Sequence, residues 1–354
     1  MKKLPRFVHA PGLVMIALLV FGFVLTLANP GARRAPEDKD LLSGAWADAY
    51  QADYTQSLPV RRPAVTLWGV IRYLAFGEGE PGVLVGEDGR LFTTEEFALP
   101  GDPESVAELH VDRIAAVGEV LASRGIYVVV ALVPAKARVY RDSLGRYRYP
   151  EALRPRYQRI HRELGELGIP APDLFTAFEE ARLHGDVFLR TDTHWTPFGA
   201  TVAAKAVADV VDPLLEELGA DRGRFRRHTG NPMPYHGDLL RYIPLGPFLD
   251  AVGPEPDMVA VPETERLDEP SYGLFGELSI PVALVGTSYS AAEPWDFAGA
   301  LEAALQVDVL NAARAGEGPV APMDTLLADG TLEDAKVKLV VWEIPERYVI
   351  APTQ

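Results

Sequence analysis

The sequence predicts an α/β domain: a mainly parallel sheet covered by helices on both faces. Two patterns predict it. Tyr127 to Val133 is a β-branched run that reads as a buried strand. Near the C-terminus, strand and helix patterns alternate, with strands at 281–286, 307–311 and 337–344 and helices at 288–305 and 321–333. Alternation of this kind requires crossover connections and therefore parallel strands. Ligands in such sheets bind at the carboxyl ends of the strands. Ser288, Gly316 and Glu343 all stand at or just after such ends.

Taken in order, the chain opens with Lys2, Lys3 and Arg6 before a charge-free apolar run from Gly12 to Ala28. That run is at the short end for a spanning helix. Positive charge on its N-terminal side predicts that this end stays in the cytoplasm and the body is exported. An uncleaved anchor is the preferred reading, and Thr26-Leu-Ala28 could alternatively be a signal-peptidase site. Residues 29–42 read as a linker, and residues 43–354 as the main domain, with 43–100 as its helical and hairpin N-terminal part. Pro59 and Pro63 should break the helical region at 43–77. Asp88-Gly89 between apolar segments predicts a hairpin. Helices are expected at 103–123, 151–168 and from Pro197 to Leu218, and 221–280 reads as irregular.

Composition narrows the chemistry. The 354 residues contain no cysteine, which excludes disulfides, thiolate catalysis and Cys-based zinc sites. A net charge of −16 argues against a general nucleic-acid surface. Two local basic runs stand out: Arg154, Arg156, Arg159 and Arg162, then Arg222, Arg224, Arg226 and Arg227. They read as solvated helix faces, or alternatively as a track for an anionic polymer.

Ser288 lies in Val282-Ala-Leu-Val-Gly-Thr-Ser288-Tyr-Ser, a strand running through a sharp turn into a helix. A serine hydroxyl needs a base to take its proton. Asp192-Thr-His194-Trp195 supplies an imidazole, and a carboxylate to orient it. Residues two apart meet in a turn but not across a helix face, so a loop placement is required. Each residue also has an ordinary role: an N-cap for Ser288, a turn or cap for Asp192, a structural histidine for His194. Gly316 could lend an N–H to an oxyanion hole or be a simple turn glycine. Lys136 could face a polymer, but a surface charge is preferred. Glu343, Arg347 and Tyr348 are candidates for shaping the cleft. A metal held by Asp192, His194, His236 and Asp238 matches no known ligand spacing, and no metal is expected.

Asp192-Thr-His-Trp-Thr-Pro-Phe-Gly199, Gly286-Thr-Ser288-Tyr-Ser and Val341-Trp-Glu-Ile-Pro-Glu-Arg347 together resemble the periplasmic alginate O-acetyltransferase group, AlgJ and AlgX. Phe76-Gly-Glu-Gly, Gly86-Glu-Asp-Gly-Arg-Leu-Phe92 and Gly237-Asp-Leu-Leu-Arg-Tyr242 extend the resemblance, which covers roughly residues 43–350. It implies an SGNH-hydrolase-like (flavodoxin-like) three-layer sandwich with permuted motif order, plus an N-terminal membrane anchor. It also implies Ser288 as nucleophile, His194 as base and Asp192 as its orienter. Two features depart from the pattern. Thr287 replaces the Asp of the usual Gly-Asp-Ser block, and no clear Asn stands where an oxyanion hole would expect one. The anchor, and the short stretch after the last strand, make the chain look closer to the AlgJ type.

The function implied is acetyl transfer to hydroxyls of an exopolysaccharide, by resemblance alginate, at the periplasmic face of a bacterial inner membrane. The acetyl donor would arrive through a membrane-bound acyltransferase partner. No cofactor is expected, and the sequence has no P-loop or Rossmann glycine pattern. Two rivals remain at this stage: a carbohydrate acetyl-esterase with the same triad, and a non-catalytic polysaccharide-binding protein using the same cleft.

Overall fold

The charge-free segment near the N-terminus forms a helix, α1 (Ala10–Ala28), whose side chains are largely exposed. The computed structural model describes residues 10–29, 40, 42–99, 103–269 and 279–349. The flanking charges Lys2, Lys3 and Arg6, and most of the expected linker, lie outside the described residues. Two compact units emerge: residues 1–77 with 244–253, and residues 78–243 with 254–354. Among the described residues, no helix is long and apolar enough to cross a membrane.

In the first unit α1 is followed by α2 (Ala45–Ser57) and α3 (Arg61–Ile71), which widens into a π-helical turn at Arg72–Phe76. The chain breaks between α2 and α3 at Leu58–Val60, as Pro59 requires. Pro63 does not break it. It sits in the first turn of α3, where a missing N–H costs no helical bond.

The second unit begins with β1 (Val83–Val85) and β2 (Leu91–Thr93), an antiparallel hairpin turning at Asp88 and Gly89, both at positive φ. Next come α4 (Pro103–Ser123), β3 (Tyr127–Val133) and α5 (Lys136–Val139). The helix expected at 151–168 is shorter, α6 (Arg156–Glu166), because Pro155 separates it from a 3-10 turn at Glu151–Leu153. Asp173 caps α7 (Leu174–Ala181), and Thr196 caps α8 (Pro197–Glu217) by accepting from the Gly199 N–H.

Residues 221–280, expected to be irregular, contain four short strands among the described residues. They are β4 (Phe225–Thr229) and β5 (Met233–Tyr235), then, after α9 (Leu249–Val252) in the first unit, β6 (Asp257–Val259) and β7 (Pro262–Arg266). β4 pairs with β7 and β5 with β6, both antiparallel. The alternating region follows: β8 (Val282–Val285), α10 (Ser288–Ala291), α11 (Phe297–Leu305), β9 (Val309–Asn311), α12 (Val320–Ala328), α13 (Thr331–Asp334) and β10 (Leu339–Pro345). The single helix expected at 288–305 is therefore two, broken around Pro294. The helix expected at 321–333 is also two, separated at Gly330, which adopts φ 81.

The central sheet has the order β3-β10-β8-β9, and every pair is parallel. Alternate residues of each strand point to opposite faces, and both faces are dry. Val129, Ala131, Leu284 and Val341 pack with α7, α8 and α11 on one side. Val128, Val130, Val285 and Trp342 pack with α4, α6, α12 and α13 on the other. The result is a three-layer sandwich. Its carboxyl edge gathers the ends of β3, β8 and β10.

Candidate active site

Ser288 is the first residue of α10, one turn past the end of β8. The turn is tight because Gly286 lies against β10: a Cβ added there would come within 2.5 Å of a Glu343 carboxylate oxygen. Glu343 anchors the turn. Its buried carboxylate accepts from the Thr287 N–H and hydroxyl and from the Ser290 hydroxyl. Burial pushes this carboxyl up to about 7, despite those donors. Thr287, which stands where a Gly-Asp-Ser block would carry Asp, is the N-cap, accepting from the Tyr289 N–H.

Asp192 and His194 lie in a loop pinched by a bridge between Phe188 and Trp195. His194 Nε2 is 2.7 Å from Ser288 Oγ, and His194 Nδ1 is 2.6 Å from Asp192 Oδ1. An ionised carboxylate only accepts. Nδ1 therefore carries the hydrogen, leaving Nε2 to accept from the serine hydroxyl. Burial works against the Asp192 charge. The His194 ring and the His194 and Asp238 N–H groups outweigh it, and hold the carboxyl well below the usual range. Tyr235 adds a hydroxyl at 3.3 Å. Ser288 and His194 keep partial solvent access, so a substrate can reach them.

Lys136 corrects its expected surface position. It is 1% exposed, and its ammonium donates to the carbonyls of Leu91, Arg190 and Asp192 at 2.6, 3.0 and 2.8 Å. It tethers the Asp192 backbone from below instead of facing a polymer. Burial and the Arg90 charge pull its pKa down to about 7, against Asp257, Glu96 and Asp192. Glu343 is likewise interior rather than a cleft wall. Arg347 is nearly buried, with its guanidinium over the Tyr289 and Tyr348 rings and Glu95 at 3.8 Å. Tyr348 packs beside Gly318, so the 314–318 loop and the end of β10 adjoin. Gly316 is an exposed turn glycine at φ 83, and none of the contacts found among the described residues joins it to Ser288.

Several supporting residues carried no sequence signal. Trp295 stacks on the His194 ring (centroids 4.6 Å apart, planes at 18°) and donates from Nε1 to the Ser288 carbonyl at 3.1 Å. Tyr289 meets the same imidazole at 4.7 Å. The ring is thereby held by one stacked and one tilted aromatic neighbour. Arg227 on β4 fixes the loop before α11 by bonding the Trp295 and Asp296 carbonyls and the Asp296 carboxylate. Replacing Trp295 by Ala frees the imidazole to rotate. The expected loss of acetyl-ester turnover is up to about 10²-fold, measured on folded protein, with Trp295→Phe much closer to the parent.

Asp192, His194 and Asp238 place potential metal-ligating atoms within 4.8 Å of one another. The Asp238 carboxylate is engaged by the Thr193 N–H and hydroxyl at 2.9 and 2.8 Å. It acts as a brace that shapes the Asp192–His194 turn. Gly237 lets that segment come close, since a Cβ there would lie 2.2 Å from the Thr191 carbonyl oxygen. The basic runs are largely surface pairs: the Arg154, Arg162 and Arg226 side chains are 58%, 64% and 64% exposed. Arg154, Arg159 and Arg162 pair with Glu151, Glu163 and Glu166, and Arg156 is buried. Arg226 and Arg227 lie on a strand, paired with Glu265 and Asp296.

Comparison with known proteins places the chain in a family. Residues 83–346 match the family described as SGNH hydrolase-like domain, acetyltransferase AlgX. The probable alginate O-acetylase AlgJ of Pseudomonas putida is 40% identical over 316 residues, which covers 88% of this chain and 82% of that protein. Its Pseudomonas aeruginosa counterpart is 39% identical over 344 residues, covering 93% and 87%. Among solved structures, the O-acetyltransferase domain of Pseudomonas putida AlgJ superposes with a TM-score of 0.70 at 41% identity, covering 77% of this chain and 94% of that one. This chain belongs to the SGNH hydrolase-like AlgX acetyltransferase family.

Proposed function

We propose that the chain is an O-acetyltransferase that acetylates hydroxyl groups of an exopolysaccharide, alginate, through a serine acyl-enzyme. The observation that carries this reading is the continuous chain Ser288–His194–Asp192 with links of 2.7 and 2.6 Å. Ser288 Oγ attacks the acetyl carbonyl of the donor while His194 Nε2 takes its proton. Collapse of the tetrahedral adduct expels the donor's leaving group, which His194 protonates, and leaves an acetyl ester on Ser288. A sugar hydroxyl then gives its proton to His194 and attacks that ester, restoring the serine. Asp192 holds the reactive tautomer and stabilises the imidazolium formed at each stage. Similarity to proteins described as alginate O-acetylases supports alginate as acceptor.

The same reading gives α1 the role of an anchor in the inner membrane, with the body in the periplasm and a membrane-bound acyltransferase delivering acetyl groups. The 19 residues of α1 carry no charge. At 1.5 Å per residue they reach about 28 Å, just short of the ~30 Å bilayer core, so as an anchor α1 would need flanking residues or local bilayer thinning to complete the span.

Transfer must compete with water at about 55 M, and effective molarities of ~10⁵–10⁸ M for oriented groups allow it. Polymannuronate oligomers supplied with a chromogenic acetyl ester should gain acetyl groups by mass spectrometry. Free-acetate release should fall as acceptor rises. Acetate release indifferent to acceptor, with no acetylated oligomer, would make the chain an esterase instead.

A further inference from the structure

The first unit exposes an apolar helix face that the acetyl-transfer site does not use. Segment 244–253 covers one side of α3. At Gly69 an added Cβ would lie 2.6 Å from the Pro244 carbonyl oxygen, and Gly246 approaches Thr66. The other side carries Leu67, Trp68 and Ile71, continued by Leu74 in the following turn. Leu67, Trp68 and Leu74 are about 60% exposed, and Phe248 from the covering segment adds a further half-exposed ring. A lone exposed leucine needs no explanation, but a contiguous stripe of this kind marks an interaction surface.

Charge selects the partner. Tyr54 to Gly77 contains Arg61, Arg62 and Arg72 and no Asp or Glu, in a chain of net charge −16. A second copy would bring the same positive patch against this one, whereas an anionic lipid surface complements it. A Trp- and Leu-bearing face flanked by arginines is the composition of a helix lying in a membrane interface.

Height selects it too. A Cβ on Gly22 of α1 would lie 4.0 Å from Val60, immediately before α3, and the Asn29 side chain bonds the Ser57 carbonyl at 2.5 Å. The turn leading into α3 is therefore level with the last turns of α1. Gly22 is six residues from the helix end, about 9 Å along the axis. If α1 spans the bilayer, α3 begins about 9 Å below the level of its C-terminal end, within the roughly 5–10 Å to which an interfacial helix sinks its apolar face.

We propose that the outer face of α3 is a second membrane contact, lying in the anionic lipid interface beside the α1 anchor. It rests on reading α1 as that anchor. Two attachments fix the orientation of the first unit, where a single helix would let it swivel about its axis.

The test uses the full chain in phosphatidylethanolamine/phosphatidylglycerol vesicles. Because the chain has no cysteine, single variants Leu19→Cys, Leu67→Cys, Ile71→Cys and Leu74→Cys each take one nitroxide label. Collision with oxygen against a water-soluble nickel chelate reports depth. Labels at 67, 71 and 74 should sit about 5–10 Å below the headgroups, with the label at 19 deeper. Adding Arg61→Glu and Arg62→Glu should move the 67 and 71 labels toward water. Three labels exposed to nickel with a deep label at 19 overturn the α3 contact and leave the anchor standing. Three labels shielded from both reagents mean that protein covers the face, which also overturns it. A label at 19 in water removes the anchor reading, and the three α3 labels then decide surface attachment alone.

Discussion

Ser288→Ala lowers turnover of an acetyl ester by roughly 10³-fold or more while the melting temperature stays near that of the parent. The hydroxyl removed accepts no structural hydrogen bond among those found, and the turn beneath it is held by Glu343 and Thr287 instead. His194→Ala should match it, since a triad acts as a unit and single losses resemble the whole loss. Asp192 demands a gentler variant. Its Oδ1 accepts from the His194 N–H and its Oδ2 from the Asp238 N–H, so Asp192→Ala would strand buried donors as well as disarm the site. Asp192→Asn keeps the shape but can present an NH2 group to Nδ1. The ring must then carry its hydrogen on Nε2, where it can no longer take the serine proton. A loss of about 10⁴-fold is expected, with the fold intact by circular dichroism. Wild-type rates in Ser288→Ala would remove the serine from the mechanism.

The sheet was legible because parallel strands buried on both faces must be continuously apolar. Tyr127–Val133 and Val282–Val285 satisfy that and are strands. The alternation that follows could only be closed by crossovers. Local breaks were less visible. Pro294 splits the helix expected at 288–305, and the loop it makes carries Trp295 onto His194. The strands in 221–280 are three to five residues long, and the two longest, Phe225-Arg-Arg-His-Thr229 and Pro262-Glu-Thr-Glu-Arg266, are polar and partly exposed, so they lack an apolar signature. The candidate site shows the same divide. Asp192, His194 and Ser288 have residue types that announce chemistry. The residues that hold them do not. A lysine after a strand reads as surface, and Lys136 is interior only because the Leu91, Arg190 and Asp192 carbonyls converge on it from distant parts of the chain. No pattern in sequence encodes a convergence of that kind.

Glu346→Ala should destabilise the protein by about 3–5 kcal/mol, the cost of leaving a buried charge without its partner. Glu346 is fully buried, just after β10, and its carboxylate pairs with Arg138, which is itself 5% exposed. Arg138 Nε donates to one oxygen at 2.9 Å, and Nη2 to the other. Burial works against the Arg138 charge, and the Glu346 hydrogen bonds and charge more than offset it. Two further Arg138 hydrogens go to the Leu153 and Arg154 carbonyls, which cannot neutralise a cation. The same carboxylate also accepts from the Ala135 N–H, so it fixes the turn from β3 into α5 that carries Lys136. Glu346→Ala therefore strands both a guanidinium and a backbone donor. The melting temperature should fall by roughly 6–10 °C in a calorimetric scan. Glu346→Gln keeps an acceptor for Ala135 but not the charge, and should fall between alanine and the parent. Arg138→Met in the Glu346→Gln background should recover part of the loss, because no unpaired charge remains. A Glu346→Ala protein that melts with the parent would mean that the Arg138 charge finds solvent, and that the end of β10 opens more readily than its packing implies.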